Sequence, residues 1–455
     1  MNGYSLDMIS IALLATLIQT PADTIIDLSK RDNRAMAHLK ELCYDIGARP
    51  TGSPEYLKAE QWAVKKFKSF GIKNVTLEKW GEVPVGFQRG PNNSATLIAP
   101  FKTEIQFTTN CWMPGTNGPA KGKVVLAPKN MEAFKSMDLK GAWVLMETPT
   151  SMRGADSASE DAALREAISN AGILGRIYGS KDEYLTTHGS WQGKSFENRP
   201  KNVEVKVRKS DWDRMFSYIR LGQETVAEFN VDNRWIKGPI DVHNVIAEIR
   251  GSEKPDEIVV IGGHIDSWNS IGSQGACDNG TGTSSTLEAA RLIMKSGIRP
   301  KRTIRFMLFG GEEQGLLGSA GYVKNHANEL EKISVCIVDD GGTNYESGVN
   351  GIEAWRPFFE PSFAAMTKAF PEMPMAFNAV EKYNASGGSD QASFWAKGIP
   401  AFFMGKKGKQ KYGHIWHTQF DRYEEAVPEY VRQISTSLAV MAVNIANADK
   451  MLPRQ

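Results

Sequence analysis

"EIVVIGGHIDSW", Glu257 to Trp268, is an apolar run that closes on two glycines, a histidine and an aspartate. Ile258, Val259, Val260 and Ile261 have no polar residue between them, which predicts a strand buried on both faces. The rhythm then repeats. "TSSTLEAARLIMKSG" (283–297) has apolar residues at helical spacing and stops at Gly297. "TIRFMLFGG" reads as a strand, "GSAGYVKNHANELEKI" as a helix and "SVCIVDDGG" as another strand. A helix at "QASFWAKG", a strand at "IPAFFMG" and a long helix from about Pro428 to Met451 follow. Alternation of this kind predicts an α/β fold, a mostly parallel twisted sheet flanked by helices. Its site is expected beyond the carboxyl ends of the strands.

Upstream, the pattern is helical from Asp32 to about Gly71, with Ser53 and Pro54 as cap and first-turn pair, and "NVTLEKW" (74–80) reads as a strand. From about Phe87 to Lys237 the character changes. Short strand-like pieces such as "KGKVVLA" and "LKGAWVLME" alternate with Gly/Pro/Asn loops, and "EDAALREAISNAGILGRIYGS" reads as a helix feeding a buried strand. This β-rich stretch has no acid and histidine constellation of its own; its only histidine is His188.

A chain of 455 residues predicts more than one domain. With 54 basic and 52 acidic residues, a net charge of +2 and no long basic run, it is not expected to bind nucleic acid. Cys43, Cys111, Cys277 and Cys336 are far apart and form no CxxC pair, so they read as buried free thiols. "MISIALLATL" (8–17) is too short to span a bilayer. It reads as the core of a secretory signal with a small-residue site near Ala22, although Asp7 and no Lys or Arg precede it. A buried or amphipathic N-terminal helix is the alternative. No other segment is apolar enough for a membrane span, and a secreted or periplasmic location is expected.

The polar residues fall at the predicted strand ends and loops: His264 and Asp266, Asp278 in "GACDNGTG", Glu312 and Glu313 after Gly310 and Gly311, Asp339 and Asp340, then His414 and His417 in "HIWHTQFD". Singly, each has a plain explanation: a hydrogen-bonded histidine, solvated acids, a turn aspartate. Together, so many carboxylates at one edge would repel unless cations neutralised them. The imidazole and carboxylate mixture suits zinc, with cobalt or manganese as substitutes. A bridging carboxylate with one histidine per metal is what a two-metal hydrolytic site needs.

The series "HIDSW", "ACDNGTG", "GGEEQGLLGS", "VDDGGT" and "WHT" resembles the M28 family of co-catalytic zinc metallopeptidases, and within it the plasma glutamate carboxypeptidase (carboxypeptidase Q) type. The stretch "GIRPKRTIRFMLFGGEEQGLLG" and the ending "ADKMLPRQ" are similar to that type as well. The middle segment resembles a protease-associated (PA) domain. The resemblance implies the zinc exopeptidase fold with an inserted, β-rich PA-like domain. It divides the chain into a signal at 1–22, a peptidase domain in two parts, 23–86 and 238–455, and the insert at 87–237.

The resemblance implies two zinc ions per subunit. Asp278 would bridge them, His264 and Asp340 would complete one set, and Glu313 and His417 the other. Glu312 would be the general base, Asp266 the carboxylate that orients His264, and Asp390 a residue on the substrate side. A cis peptide is implied after Asp278. Asn279 departs from the family, where many members have a second aspartate. Asp340 rather than Asp339 is favoured by the alignment of "DGGT", and His414 has no ligand role. The implied activity is exopeptidase hydrolysis of dipeptides or short peptides through a metal-bridging hydroxide, with the insert narrowing the cleft and a homodimer as the implied assembly. Two alternatives share the fold: an aminopeptidase acting on longer peptides, and a non-catalytic receptor-like protein.

Overall fold

The computed structural model describes residues 19–146 and 162–455. The apolar run at 8–17 lies outside them. Thr20 caps the first helix, α1 (Pro21–Arg31), and Ala22, Ile25 and Ile26 on it are buried in the main core. Helix α2 (Ala35–Glu41) runs into a π-helical turn, Leu42–Ile46. Helix α3 (Pro54–Ser69) starts as its sequence predicts, with Ser53 Oγ accepting from the Tyr56 N–H at 3.0 Å.

The principal sheet has six strands: β1 (Asn74–Arg89), β2 (Asn233–Ile249), β3 (Lys254–His264), β4 (Arg302–Phe309), β5 (Ile333–Val338) and β6 (Ala401–Phe403). Their spatial order is β1-β2-β4-β3-β5-β6. The last four run parallel, while β1 and β2 add an antiparallel edge. The sheet is covered on both faces. Val259 and Ile261 join the core under α4 (Thr281–Ser296), α6 (Arg356–Ala369) and α8 (Pro428–Asn447). Their neighbours Ile258 and Val260 join the core under α5 (Leu317–Asn325) and α7 (Gln391–Trp395). Period-two alternation between two buried faces is why the run at 258–261 carries no polar residue.

Helices α5 and α8 end earlier than their sequence predicts. Helix α5 ends at Asn325, where His326 turns its ring nitrogens to Glu78 at 2.6 Å and Glu329 at 2.8 Å. Helix α8 ends at Asn447 because the carbonyls beyond it are taken by side chains: Lys254 Nζ reaches Asp449 O at 2.7 Å, and Arg302 reaches Ala448 O. Strand β1, in contrast, extends well past "NVTLEKW".

Between β1 and β2 the chain leaves and returns at one point, where Gly90 N–H donates to Asp232 O at 2.6 Å. The described residues between them form an eight-stranded sheet with helices and a core of their own, including Phe107, Trp143 and Phe229. All four cysteines are buried free thiols. No helix among the described residues is long and apolar enough to cross a membrane.

Candidate metal centre

Parallel register brings three strand ends together. His264, the last residue of β3, pairs with Phe309 at the end of β4, and Gly262 pairs with Val338 at the end of β5. Each chain then releases its acids. After β4, Gly311 takes a φ of +70°, which turns the chain at Glu312 and Glu313. After β5, Asp339 and Asp340 diverge. Asp340 Oδ1 lies 3.1 Å from His264 Nε2, whereas Asp339 turns to an ion pair with Lys406.

Asp278 stands at the centre. Its Oδ1 is 3.4 Å from His264 Nε2 and its Oδ2 is 3.3 Å from His417 Nε2. Glu313 Oε2 is 3.1 Å from His417 Nε2. Two triads result, His264–Asp278–Asp340 and Asp278–Glu313–His417, each with its donor atoms within 4.8 Å of one another. Glu312 belongs to neither; its Oε2 is 4.0 Å from His264 Nε2. The bond from Asp278 to Asn279 is cis, as the resemblance implies. Asn279 is fully buried, donating to Asp339 O at 2.8 Å and accepting from the Gly282 N–H at 3.0 Å, so it secures the start of α4.

The donors fit metal ions. They are all imidazole and carboxylate; His264, Asp278 and Asp340 are buried, and Glu313 and His417 are half-buried. Asp278 Oδ2 and Glu313 Oε1 are enclosed with no hydrogen-bond partner among the described residues, a cost that a cation would remove. Burial pushes the Glu313 carboxyl up to about 7 and Glu312 well above the carboxylate range. Burial opposes the charge on His417, but Glu313 and Asp278 raise its imidazole to about 10. Against burial, the two imidazoles hold Asp278 below its ordinary value.

His264 Nδ1 lies 3.0 Å from the backbone oxygen of Asp266 and 3.5 Å from its carboxylate. The Asp266 carboxylate instead accepts from Thr51 Oγ1 at 2.6 Å and from the Glu312 N–H at 3.3 Å. Asp390 is fully buried, and burial pushes its carboxyl up to about 7. His414 stacks on Phe420 and lies 3.6 Å from Glu425, away from both triads.

Four residues around the centre went unread in the sequence. Arg49 is buried and donates to Ile265 O and to Gly275 O at 3.0 Å, tying the β3 end to the Asp278 turn. Thr51 holds Asp266, and Asp421 Oδ1 accepts from the Cys277 N–H at 2.6 Å. His188 reaches in from the segment between β1 and β2, with its Nδ1 3.2 Å from His417 Nδ1. The signals were an arginine and a threonine in the Gly/Pro loop "GARPTGSPE", an aspartate just past the second histidine, and a lone histidine in a segment otherwise poor in them.

Comparison with known proteins agrees with this architecture. Residues 244–442 match the model of Peptidase family M28. Carboxypeptidase Q of Xenopus laevis is 28% identical over 443 residues, 95% of this chain and 91% of that protein. The crystal structure of a peptidase M28 precursor from Shewanella amazonensis SB2B superposes with a TM-score of 0.69 at 26% identity, covering 96% of this chain and 98% of that one. A zinc aminopeptidase from Bacillus subtilis shares the fold at 21% identity and a TM-score of 0.57, covering 91% and 94% of the two chains. Residues 244–442 thus carry a peptidase family M28 domain, and the chain is a metallopeptidase with the zinc exopeptidase fold.

Proposed function

We propose that the protein is a co-catalytic two-zinc exopeptidase that hydrolyses dipeptides or short peptides. The observation that carries this reading is the pair of triads sharing Asp278, with Glu312 beside them and outside both. His264, Asp278 and Asp340 would hold one ion; Asp278, Glu313 and His417 the other. Two such ions supply an acidified water and a polarised scissile carbonyl. Glu312 takes the water's proton and returns it to the leaving amine. Asp266 holds the Glu312 backbone in place. Asp390 has no exposed surface, so its part in substrate recognition runs through its neighbours.

In this reading residues 87–237 are a PA-like insert that restricts entry. Supporting it, Thr187 and Gly189 bond to His417 O and Gln314, and the side chains of the site are at most 14% exposed. A narrow entry favours short peptides over folded proteins. Export belongs to the same reading, from the apolar run at 8–17 and from the Shewanella relative, which is described as a precursor. A homodimer is the assembly to be tested, by sedimentation.

The relatives include both a carboxypeptidase and aminopeptidases, so the polarity of attack is the open choice. A panel of free dipeptides, N-blocked dipeptides, C-terminal amides and longer peptides decides it. Cleavage that requires both termini free supports the dipeptidase reading; cleavage of long peptides and amides at the N-terminus replaces it with aminopeptidase action. Purification without stoichiometric zinc and without hydrolysis of any member would make the chain receptor-like.

A further inference from the structure

We infer that His188, carried by the segment between β1 and β2, is a positioning residue for the second metal triad: it accepts the Nδ1 proton of His417 and so points the His417 Nε2 lone pair at Asp278 and Glu313. This rests on the reading that His417 holds a metal ion.

The argument begins with the backbone of His417. It takes a φ of +59°, in the left-handed region that a β-carbon disfavours. Its own loop brackets it, with Trp416 N–H donating to Tyr412 O at 2.9 Å and Thr418 N–H to Ile415 O at 3.1 Å. The neighbouring segment adds a restraint at His417 itself: Thr187 N–H donates to His417 O at 2.9 Å. That segment is itself tied on both sides. Leu185 N–H donates to Gln419 Oε1 at 2.8 Å, Ser270 Oγ donates to Leu185 O at 2.7 Å, and Lys206 Nζ donates to Thr186 O at 3.0 Å. His188 is fixed in turn, with its N–H to Asn110 Oδ1 at 3.2 Å and its carbonyl accepting from Cys111 N–H at 2.8 Å.

The ring geometry follows. His188 Nδ1 and His417 Nδ1 are 3.2 Å apart, so one must donate and the other accept. His417 Nε2 faces Asp278 and Glu313, and a ligand nitrogen must offer a lone pair, which places the His417 proton on Nδ1. His188 is therefore the acceptor. Trp416 stacks on His417 at 4.0 Å between ring centroids, and Trp268 lies 5.9 Å from each imidazole, so the two rings are walled into one relation. For a metal-bound histidine the outer partner is ordinarily a carboxylate, carbonyl or water of the surrounding fold. In this chain it comes from a segment remote from every other ligand.

The test is zinc binding by competition with a chromophoric chelator, on the full chain, for the wild type, His188→Phe, His188→Asn and His417→Ala. Phenylalanine keeps the ring packing and loses the acceptor; asparagine keeps an acceptor near the Nδ1 position. We expect His188→Phe to weaken one of two zinc ions by about 10–100-fold, the usual effect of removing such a partner, with the other unchanged. His188→Asn should recover most of that loss. Wild-type affinity for both ions in His188→Phe overturns the proposal, as does an equal loss in His188→Asn. If His417→Ala binds zinc as the wild type does, the metal reading of His417 falls and the proposal with it; if it loses one ion while His188→Phe loses none, only the positioning role falls. Should both His188 variants fail to fold, the ¹⁵N spectrum of zinc-loaded wild type decides: an unprotonated His188 Nδ1 supports the acceptor role, and a protonated one overturns it.

Discussion

The two histidines of the centre are held in opposite ways. His264 ends a central strand in extended register, and its Nδ1 finds the backbone oxygen of Asp266 two residues later. That half of the site is built from consecutive sheet. His417 sits in a loop with left-handed backbone, and its carbonyl and Nδ1 both meet the segment at 187–188. That half is assembled from two distant pieces of chain. In the proposed reading, an imidazole fixed mainly by its own strand depends less on the segment between β1 and β2, whereas one fixed from outside shares that segment's local stability.

The largest expected effect is common to both halves. Asp278→Asn removes the shared carboxylate charge, so both zinc ions should be lost in metal analysis and peptidase activity should fall to background. Next come the neighbours Glu312 and Glu313. Glu312→Gln should keep both ions while kcat falls roughly 10²–10⁴-fold, the usual contribution of a positioned base. Glu313→Gln should lose one ion and recover partly in excess zinc; loss of metal from Glu312→Gln instead would exchange the two roles. A smaller effect separates the halves. Because His264 is oriented by a main-chain oxygen, Asp266→Asn should leave zinc affinity within a few-fold and lower kcat roughly 10-fold through Glu312, at the low end for such support. A large loss of zinc in that variant would show that the carboxylate holds the imidazole after all.

The last effect, on stability rather than on activity, concerns the anchor of the 187–188 segment. Lys206 is buried, and burial pushes its ammonium down to about 8. Between that value and the ordinary lysine range the unfolded chain binds the proton and the folded chain does not, so stability rises with pH across the window. Relative to Lys206→Met, the wild type should gain up to about 1.4 kcal/mol per pH unit between roughly pH 8 and 10, read from urea midpoints. A constant difference across those pH values would refute it.

This asymmetry also explains what the sequence disclosed. The sheet was legible because Ile258 to Ile261 and Phe306 to Phe309 are apolar without interruption, as a strand buried on both faces requires. The acids at the strand ends were legible because parallel strands must deliver them to one edge. Glu312 and Glu313 could be placed at a turn, but their different directions needed the φ of Gly311. His188 was not legible. A single histidine among loops has no periodicity, and its meaning depends on a contact spanning 229 residues. Arg49 was hidden for the same reason: its partners are backbone carbonyls, which leave no mark on the side-chain pattern.

Helix α8 shows another side of this arrangement. Val431 and the run from Gln433 to Val443 are buried, packed on α4, α1 and α6. During synthesis, strands β3, β4 and β5 emerge well before His417, and α8 emerges later still. In the order of synthesis, residues 264, 278 and 340 are therefore in place before His417, and the helix that covers α1, α4 and α6 comes last. The proposed two-ion site and the core behind it are completed by the same final stretch of chain.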